Sequence, residues 1–592
     1  MRFLDIADVQ FQDLPPTSTP PGIFTWKQTV VCLALLTCLA FGLRVANLSA
    51  AGFAEDEVHK VEAIAAYRQG DFAHNLEHPM LMKLAMGASL MVSEQWNQLV
   101  PATCSIAPEA AIRFPNCVVG ALTTLVLGLL AAELFNPIIG ILTGMFWATG
   151  MVSLAINRIG KEDTFLVFFL LLAYYAYLHA KQLGMKELSP HRRRIQARWY
   201  ILSGASFGFM IASKYFPHYW GLLFLWEYLD HKLRPTNPLT NPIPRFVFPR
   251  FYGAMVGCFL IGNPIVWMSP IFSYVINYVS EETVTHHGYM MMDMLFYNTP
   301  SHTAFSGGLP LHFYALMLGI KTQPLVLIGL VVGLIITLRR VGQSQYFLIV
   351  FMGVFWLMPF SIVGAKWMRY TLSLLPFVYV VAAIGMYEIG NWGYQLYRTL
   401  SSAERCEHSF LERHPDAQEH LVAALLAVIT AIVLIPCLQQ APFYSLYTNV
   451  FGGGEARAGT YFPHDEFYDA GVREALASIA QLAPPGALVV TETPWVARYY
   501  CNRFQRPDLK NEILSDARVE LDTDSLKFVI VQRGRYYFEN IERIHWLTQN
   551  GTLVKEIVVA GKVAAQVYVC GKKQPEPFDS YIVQASALKE AD

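Results

Sequence analysis

Residues 30–60 read VVCLALLTCLAFGLRVANLSAAGFAEDEVHK. An apolar run gives way here to three consecutive acids, Glu55, Asp56 and Glu57. The run belongs to a window at 28–47, and a helix needs about 20 apolar residues to cross a bilayer. It is too long for the apolar core of a signal peptide and no small-residue cleavage site follows it, so it reads as a membrane helix. The acids then stand within a few residues of a membrane surface.

Similar windows recur near 115–134, 137–156, 164–182, 199–213, 216–230, 251–269, 313–338, 345–361, 370–390 and 421–439. They explain why a chain of 592 residues is 54% hydrophobic and only 15% charged, where about a quarter charged is usual for soluble domains. The sequence therefore predicts a polytopic α-helical membrane protein of about eleven spans. A formal net charge of −1 offers no basic footprint for nucleic acid.

Lys and Arg mark the cytoplasmic side. They crowd the loops KQLGMKELSPHRRRIQAR and HKLRPTNPLTNPIPRFVFPR and the turn at Arg339–Arg340, whereas Phe251–Ile320 has neither but carries Glu281, Glu282 and Asp293. This alternation places the N-terminus inside and the acids outside. It divides the chain into a cytoplasmic tail at 1–25, a membrane module at 26–440 and an outer domain at 441–592. Long outer loops are expected at 48–111 and 270–312. The first has helical patterns at Val58–Arg68 and Leu81–Val100, of the kind that lie in the membrane interface.

The outer domain reads as α/β. FYDAGVREALASIAQLA has helical periodicity, ALVVTET and KFVIVQ read as buried strands, and TLVKEIVVAGKVAAQVYVCG as a hairpin turning at Ala560–Gly561. Gly452–Gly454 reads as a turn, since no strand and helix flank it as a phosphate cradle requires. Of the nine cysteines, Cys501 and Cys570 both fall in this domain, where an oxidising compartment would permit a disulfide.

Alone, an acid such as Asp56 would cap the helix that follows it. Three further features suggest chemistry. Glu77, His78 and Lys83 bring more polar groups to the same loop. The turn NRIGKED at 157–163 holds Arg158, Lys161, Glu162 and Asp163, more charge than a hairpin needs. Isolated cations, Lys214, Lys321, Lys366 and Arg369, stand at outer helix ends against the usual bias. Cations can hold an anionic lipid headgroup and stabilise a leaving phosphate, and a carboxylate can take a proton from an attacking hydroxyl. Weaker signals lie in Thr285–Tyr289, in the aromatic stretch MLFYNTPSHTAFSGGLPLHFY, and in His464-Asp465-Glu466, where Asp465 reads as a helix cap. The rival reading is a transporter or lipid-linked sugar flippase, which would show broken helices and ionisable groups near the midplane.

DEVH at 56–59 and EHPMLMK at 77–83 resemble the first outer loop of membrane glycosyltransferases of the C superfamily, family 39. The likeness is to the protein O-mannosyltransferase branch and, more distantly, to aminoarabinose transferases. Met80 and Met82 replace a Pro and a Gly of that pattern. The resemblance implies an inverting transfer of mannose or a related sugar from a polyprenyl-phosphate donor to a hydroxyl of a protein, lipid or glycan. It maps the catalytic base onto Asp56, with Glu57 beside it. It implies that the donor phosphate meets some of Lys83, Arg158, Lys214, Lys366 and Arg369, supported by His59, His78 and Asp163. Some relatives bind a divalent metal, for which Glu57, His59 and His78 are the candidates here. A bacterial inner membrane, with the site facing the periplasm, is the implied location.

Overall fold

The structure is a computed structural model, and it describes residues 24–184, 189–235, 243–267, 287–403 and 415–571. The expected cytoplasmic tail, except Phe24 and Thr25, lies outside the described residues, as do Glu281, Glu282, Thr285 and His286.

The molecule is a helical bundle with an α/β domain at its C-terminal end. Among the described residues five helices are long and apolar enough to cross a membrane, or six if one bent pair counts as a span. They include α1 (Trp26–Val45), α4 (Pro108–Leu134), α7 (Asp163–Gly184), α13 (Ser344–Ile362) and part of α15 (Pro415–Gln440). The remaining expected windows also fall on helices: α8 (Pro190–Ser213) and α14 (Leu375–Ala403), of 24 and 29 residues, and the shorter α9 (His218–Leu233) and α10 (Phe248–Gly262), of 16 and 15.

Two windows expected as single spans are broken. The first divides into α5 (Pro137–Thr149) and α6 (Met151–Asn157), bent by 57°. Gly150 sits at the bend because a Cβ there would lie 2.0 Å from the Tyr379 hydroxyl. Carbonyls of Trp147 and Ala148, freed by the bend, accept from Arg44 of α1 at 3.3 Å. The second divides into α11 (Phe313–Lys321) and α12 (Pro324–Arg339), with Pro324 opening the new helix where its missing N–H costs nothing. The breaks touch: Gln323 donates to the Thr149 carbonyl at 3.0 Å. Helices α12 and α14 meet at glycines, and a Cβ at Gly333 would lie 1.8 Å from the Val381 carbonyl. Such small residues let membrane helices approach closely.

Loop 48–111 carries α2 (Glu55–Arg68) and α3 (Leu81–Leu99). Helix α3 leaves Leu84, Met91, Val92, Trp96 and Leu99 exposed, as an interfacial helix would. Helix α2 departs from that expectation. Its Val58 and Ile64 enter one hydrophobic core with Ile112 of α4 and with Leu476, Val489 and Tyr500 of the C-terminal domain. The described part of the second long loop carries a hairpin, β1 (Tyr289–Met291) and β2 (Met294–Phe296). Beyond it, Tyr297 stacks between His302 at 4.2 Å and Phe538 at 4.4 Å.

The C-terminal domain begins with the short α16 (Pro463–Phe467), then α17 (Val472–Leu482) and α18 (Pro494–Arg503), with α19 (Ile541–Asn550) further on. Its strands are β3 (Leu488–Thr491), β4 (Lys510–Ile513), β5 (Lys527–Gln532), β6 (Thr552–Val559) and β7 (Lys562–Cys570). They form one sheet in the order β4-β3-β5-β7-β6, with β3 parallel to both β4 and β5 and β7 antiparallel to both β5 and β6. All six residues of β5 are buried, and its middle four, FVIV at 528–531, are a continuous apolar run as a strand covered on both faces requires. The β6–β7 turn falls at Ala560 and Gly561, with φ of 48° and 74°, the left-handed pair that short hairpins require. Cys501 and Cys570 are free, buried thiols, packed in separate clusters of the domain, so the disulfide left open by the sequence is not formed.

Candidate active site

Helix α2 starts at Glu55, with Ala54 preceding it. Asp56 therefore lies inside the first turn and does not cap the helix from outside. Glu57 takes the capping part: its Oε2 accepts the Ala54 N–H at 3.0 Å. The three acids point to three different partners. Glu55 meets the C-terminal domain, its N–H donating to Asp469 at 3.0 Å and its Oε2 accepting from Arg535 at 2.9 Å. Glu57 turns into the bundle. Asp56 stays between the two, 36% exposed.

Three groups from three distant parts of the chain reach Asp56 Oδ2. Lys161, from the turn between α6 and α7, forms an ion pair with it. Arg369, from the 3₁₀ turn Met368–Ser373, approaches to 3.6 Å. Tyr468, from the C-terminal domain, donates its hydroxyl at 2.7 Å. Burial alone would push the Asp56 carboxyl up, but Lys161, Arg369 and Lys60 together hold it well below the usual range. Lys161 pays in the other direction: burial and neighbouring Arg369 press its ammonium down to about 8 despite Asp56.

A second layer extends this network. Lys60, one helical turn beyond Asp56, pairs with Glu162 at 3.1 Å, and both are 1% exposed. Burial opposes the charged Glu162, yet the Lys60 and Lys161 ammonium groups hold its carboxyl low. His78 stands 3.9 Å from Glu162, and burial keeps its imidazole well below the ordinary value, hence neutral at pH 7. Lys214 pairs with Asp163 at 2.9 Å and lies over the Tyr370 ring at 5.2 Å, as Arg369 does at 5.6 Å. Asp56, Lys161, Arg369, Asp163 and Lys214 thus form one continuous acid–cation cluster.

The other expected phosphate ligands are occupied elsewhere. Arg158 donates to the carbonyls of Leu43, Arg44, Ala46 and Asn47 at 2.7–3.2 Å, closing the C-terminal end of α1 where helix carbonyls lack partners. Lys366 is fully buried on the carbonyls of Leu309 and Val363 at 2.5 and 2.6 Å. Lys83, 1% exposed, donates to the carbonyls of Asn75 and His78 at 2.5 and 2.9 Å, and burial presses its ammonium down to about 7.

Glu57 also departs from its expected place beside the base. It is wholly buried. Its oxygens accept two N–H groups of Arg113 at 2.8 and 2.6 Å and the Gly160 N–H at 2.9 Å. Arg113 spends its remaining three N–H donors on the carbonyls of Leu48, Ala51 and Gly52. The pair ties α2, α4 and the Lys161 turn together, which is a holding role.

The expected metal donors do not gather. Glu57 is consumed by Arg113, and His59 faces Glu62 at 3.8 Å and the Trp495 ring at 5.9 Å. Among the described residues no group of three or more His, Cys, Asp or Glu side chains is placed to hold a metal ion.

His464-Asp465-Glu466 takes a structural place. Glu466 supplies the cap expected of Asp465, accepting the Phe462 N–H at 2.9 Å and pairing with Lys321. Asp465 accepts from the Tyr289 hydroxyl at 2.5 Å and the Met368 N–H at 2.9 Å. It thereby fixes the turn that carries Arg369.

The class this defines is a polytopic helical membrane protein whose C-terminal α/β domain closes over a carboxylate–cation cluster. Residues 101–245 match the family model of dolichyl-phosphate-mannose-protein mannosyltransferases. The match contains Arg158, Lys161, Asp163 and Lys214 and stops short of Asp56 and Arg369. No curated protein matches the chain in sequence. Among solved structures, one similar to it is ArnT from Cupriavidus metallidurans bound to undecaprenyl phosphate, at 13% identity and a TM-score of 0.46, covering 92% of this chain and 99% of that one. Another is the archaeal oligosaccharyltransferase AglB from Archaeoglobus fulgidus in complex with an inhibitory peptide and a dolichol-phosphate, at 11% identity and a TM-score of 0.49, covering 93% of this chain and 76% of that one.

Proposed function

We propose that the protein is an inverting glycosyltransferase. It moves a sugar, mannose or a relative, from a polyprenyl-phosphate donor to an acceptor hydroxyl on a protein, lipid or glycan. The observation that carries this reading is the Asp56 carboxylate between Lys161 and Arg369, at the junction of bundle and C-terminal domain. The family match over 101–245 supports the donor class. In this reading 26–440 is the catalytic membrane module and 441–592 an outer domain. The N-terminus is cytoplasmic and the site faces the periplasm of a bacterial inner membrane.

The chemistry is one displacement. The acceptor oxygen bonds to the anomeric carbon as the bond from that carbon to the phosphate oxygen breaks. The proton passes to Asp56, and the electron pair leaves with the polyprenyl phosphate, whose charge Lys161 and Arg369 stabilise, with Lys214 beside them. A carboxylate held this low is a weak base while both cations face it. A donor phosphate competes for the same cations, and every ion pair it draws away makes Asp56 more basic. Donor binding therefore prepares the base.

The Lys161 ammonium at about 8 sets a pH limit. Above that value it loses its proton and its hold on the leaving phosphate, so transfer should fall along an alkaline limb with an apparent pKa near 8. Lys161→Arg, charged at every accessible pH, should flatten that limb in a pH–rate profile.

The direct test gives purified protein in nanodiscs a panel of radiolabelled polyprenyl-phosphate sugars and a membrane extract. Label leaving the lipid supports the reading, and the labelled product identifies the acceptor class. A transporter is the second reading, favoured by the two broken helices that meet at Gln323. Labelled lipid crossing a sealed bilayer unchanged, with no transfer, would decide for that reading.

A further inference from the structure

We propose that Tyr468 is a positioning residue of the transfer reaction, its hydroxyl aiming the Asp56 carboxylate, so that the C-terminal domain is a working part of the active site. The inference rests on the reading of Asp56 as the base.

The first observation is the contact itself, 2.7 Å from the Tyr468 hydroxyl to Asp56 Oδ2 across 412 positions of sequence. The second is the backbone that delivers it. Tyr468 ends α16 with φ 45° and ψ 56°, and Asp469 follows at φ 62°. Two successive non-glycine residues in the left-handed region are costly, and a helix end of this shape ordinarily takes Gly or Asn. Such strain persists where surrounding structure imposes it, and it gathers at functional sites.

The third observation is what imposes it. Asp469 accepts two N–H groups of Arg535 at 2.8 and 2.6 Å, the Gln532 amide at 3.2 Å and the Glu55 N–H at 3.0 Å. Arg535 also reaches Glu55 Oε2 at 2.9 Å. A strut thus runs from the end of β5 through Arg535 and Asp469 to the first turn of α2, the turn that carries Asp56. It sets the strained tip and the base in one frame.

Tyr468 is also the uncharged member of the set around Oδ2. A phosphate draws Lys161 and Arg369 towards itself, but it has no such pull on a hydroxyl already donating to a carboxylate. The tyrosine keeps Oδ2 in place while the cations turn to the leaving group, and it leaves the other carboxylate oxygen for the acceptor proton.

The test uses the full chain in nanodiscs with radiolabelled polyprenyl-phosphate mannose, or whichever lipid-linked sugar the wild type accepts. Tyr468→Phe keeps the ring and loses the hydroxyl. It should lower kcat about 10- to 100-fold, with the donor KM and the thermal midpoint unchanged. Asp469→Asn, which loosens the tip and spares Tyr468, should also lower kcat, but with a lower thermal midpoint, because it leaves buried Arg535 with Glu55 as its remaining acid. In an Asp56→Asn background, Tyr468→Phe should cost nothing more, because residues acting as a unit are not additive. Wild-type kcat in Tyr468→Phe overturns the inference and leaves the glycosyltransferase reading standing. So does an equal fractional loss in both backgrounds, the mark of a purely structural residue. A wild type that transfers from no lipid-linked sugar overturns the reading and the inference with it.

Discussion

Asp56→Asn should lower the rate of sugar transfer by about 10²–10⁴-fold, the range a positioned general base supplies. The substitution keeps the shape of the side chain and removes its ability to take a proton. It also removes the negative charge that Lys161 and Arg369 now face. Those cations then meet the donor phosphate without a competitor, so donor binding should hold or tighten. The expected signature is a collapse of kcat with a donor KM that is unchanged or lower, read from initial rates at varied donor concentration. A residue that merely held the fold would raise KM and lower the thermal midpoint as kcat fell.

Arg113→Ala should be the most damaging single change to stability, by about 3–5 kcal/mol, the cost of leaving one partner of a buried ion pair uncompensated. Glu57 would remain buried with only the Ala54 and Gly160 N–H groups to face its charge. The carbonyls of Leu48, Ala51 and Gly52 would lose their donor as well. Thermal unfolding in detergent measures the loss. Adding Glu57→Ala to Arg113→Ala should recover part of it, because the pair's cost lies mainly in the stranded charge. Activity should fall with stability in both, since this pair holds the Lys161 turn against α2.

The two substitutions separate what was legible in the sequence from what was not. The membrane helices were legible because a long apolar run is a local property. The breaks at Gly150 and Thr322–Gln323 were not, because the first answers to the Tyr379 hydroxyl on a distant helix. In the C-terminal domain, β5 announced itself through the apolar run FVIV at 528–531, and Ala560–Gly561 as a turn. Asp56 alone read as a helix cap, and it could be singled out through the charged groups that accompany it and the likeness of DEVH to a known motif.

Its partners were harder. Arg158 and Lys161 stand three positions apart in one turn, and which of them faces Asp56 depends on how α6 leaves the bend. The choice of Arg158 followed a motif, whereas the geometry gives Arg158 to the end of α1 and Lys161 to the base. Lys60 carried a readable signal, four residues after Asp56 on the same helix face. Arg113 carried only the oddity of an arginine at the start of an apolar window. Tyr468 and Arg535 carried none, since they meet the first turn of α2 from more than 400 positions away. Composition predicted a separate C-terminal α/β domain, and only the fold places it on the site.

The measurement that tests the account most directly is the anomeric configuration of the transferred sugar. NMR of the product, set against a donor of known configuration, reads it in one experiment. A single displacement with Asp56 as base must invert that centre, and inversion is the expected result. Retention would require a covalent or dissociated intermediate, and it would contradict the role given to Asp56.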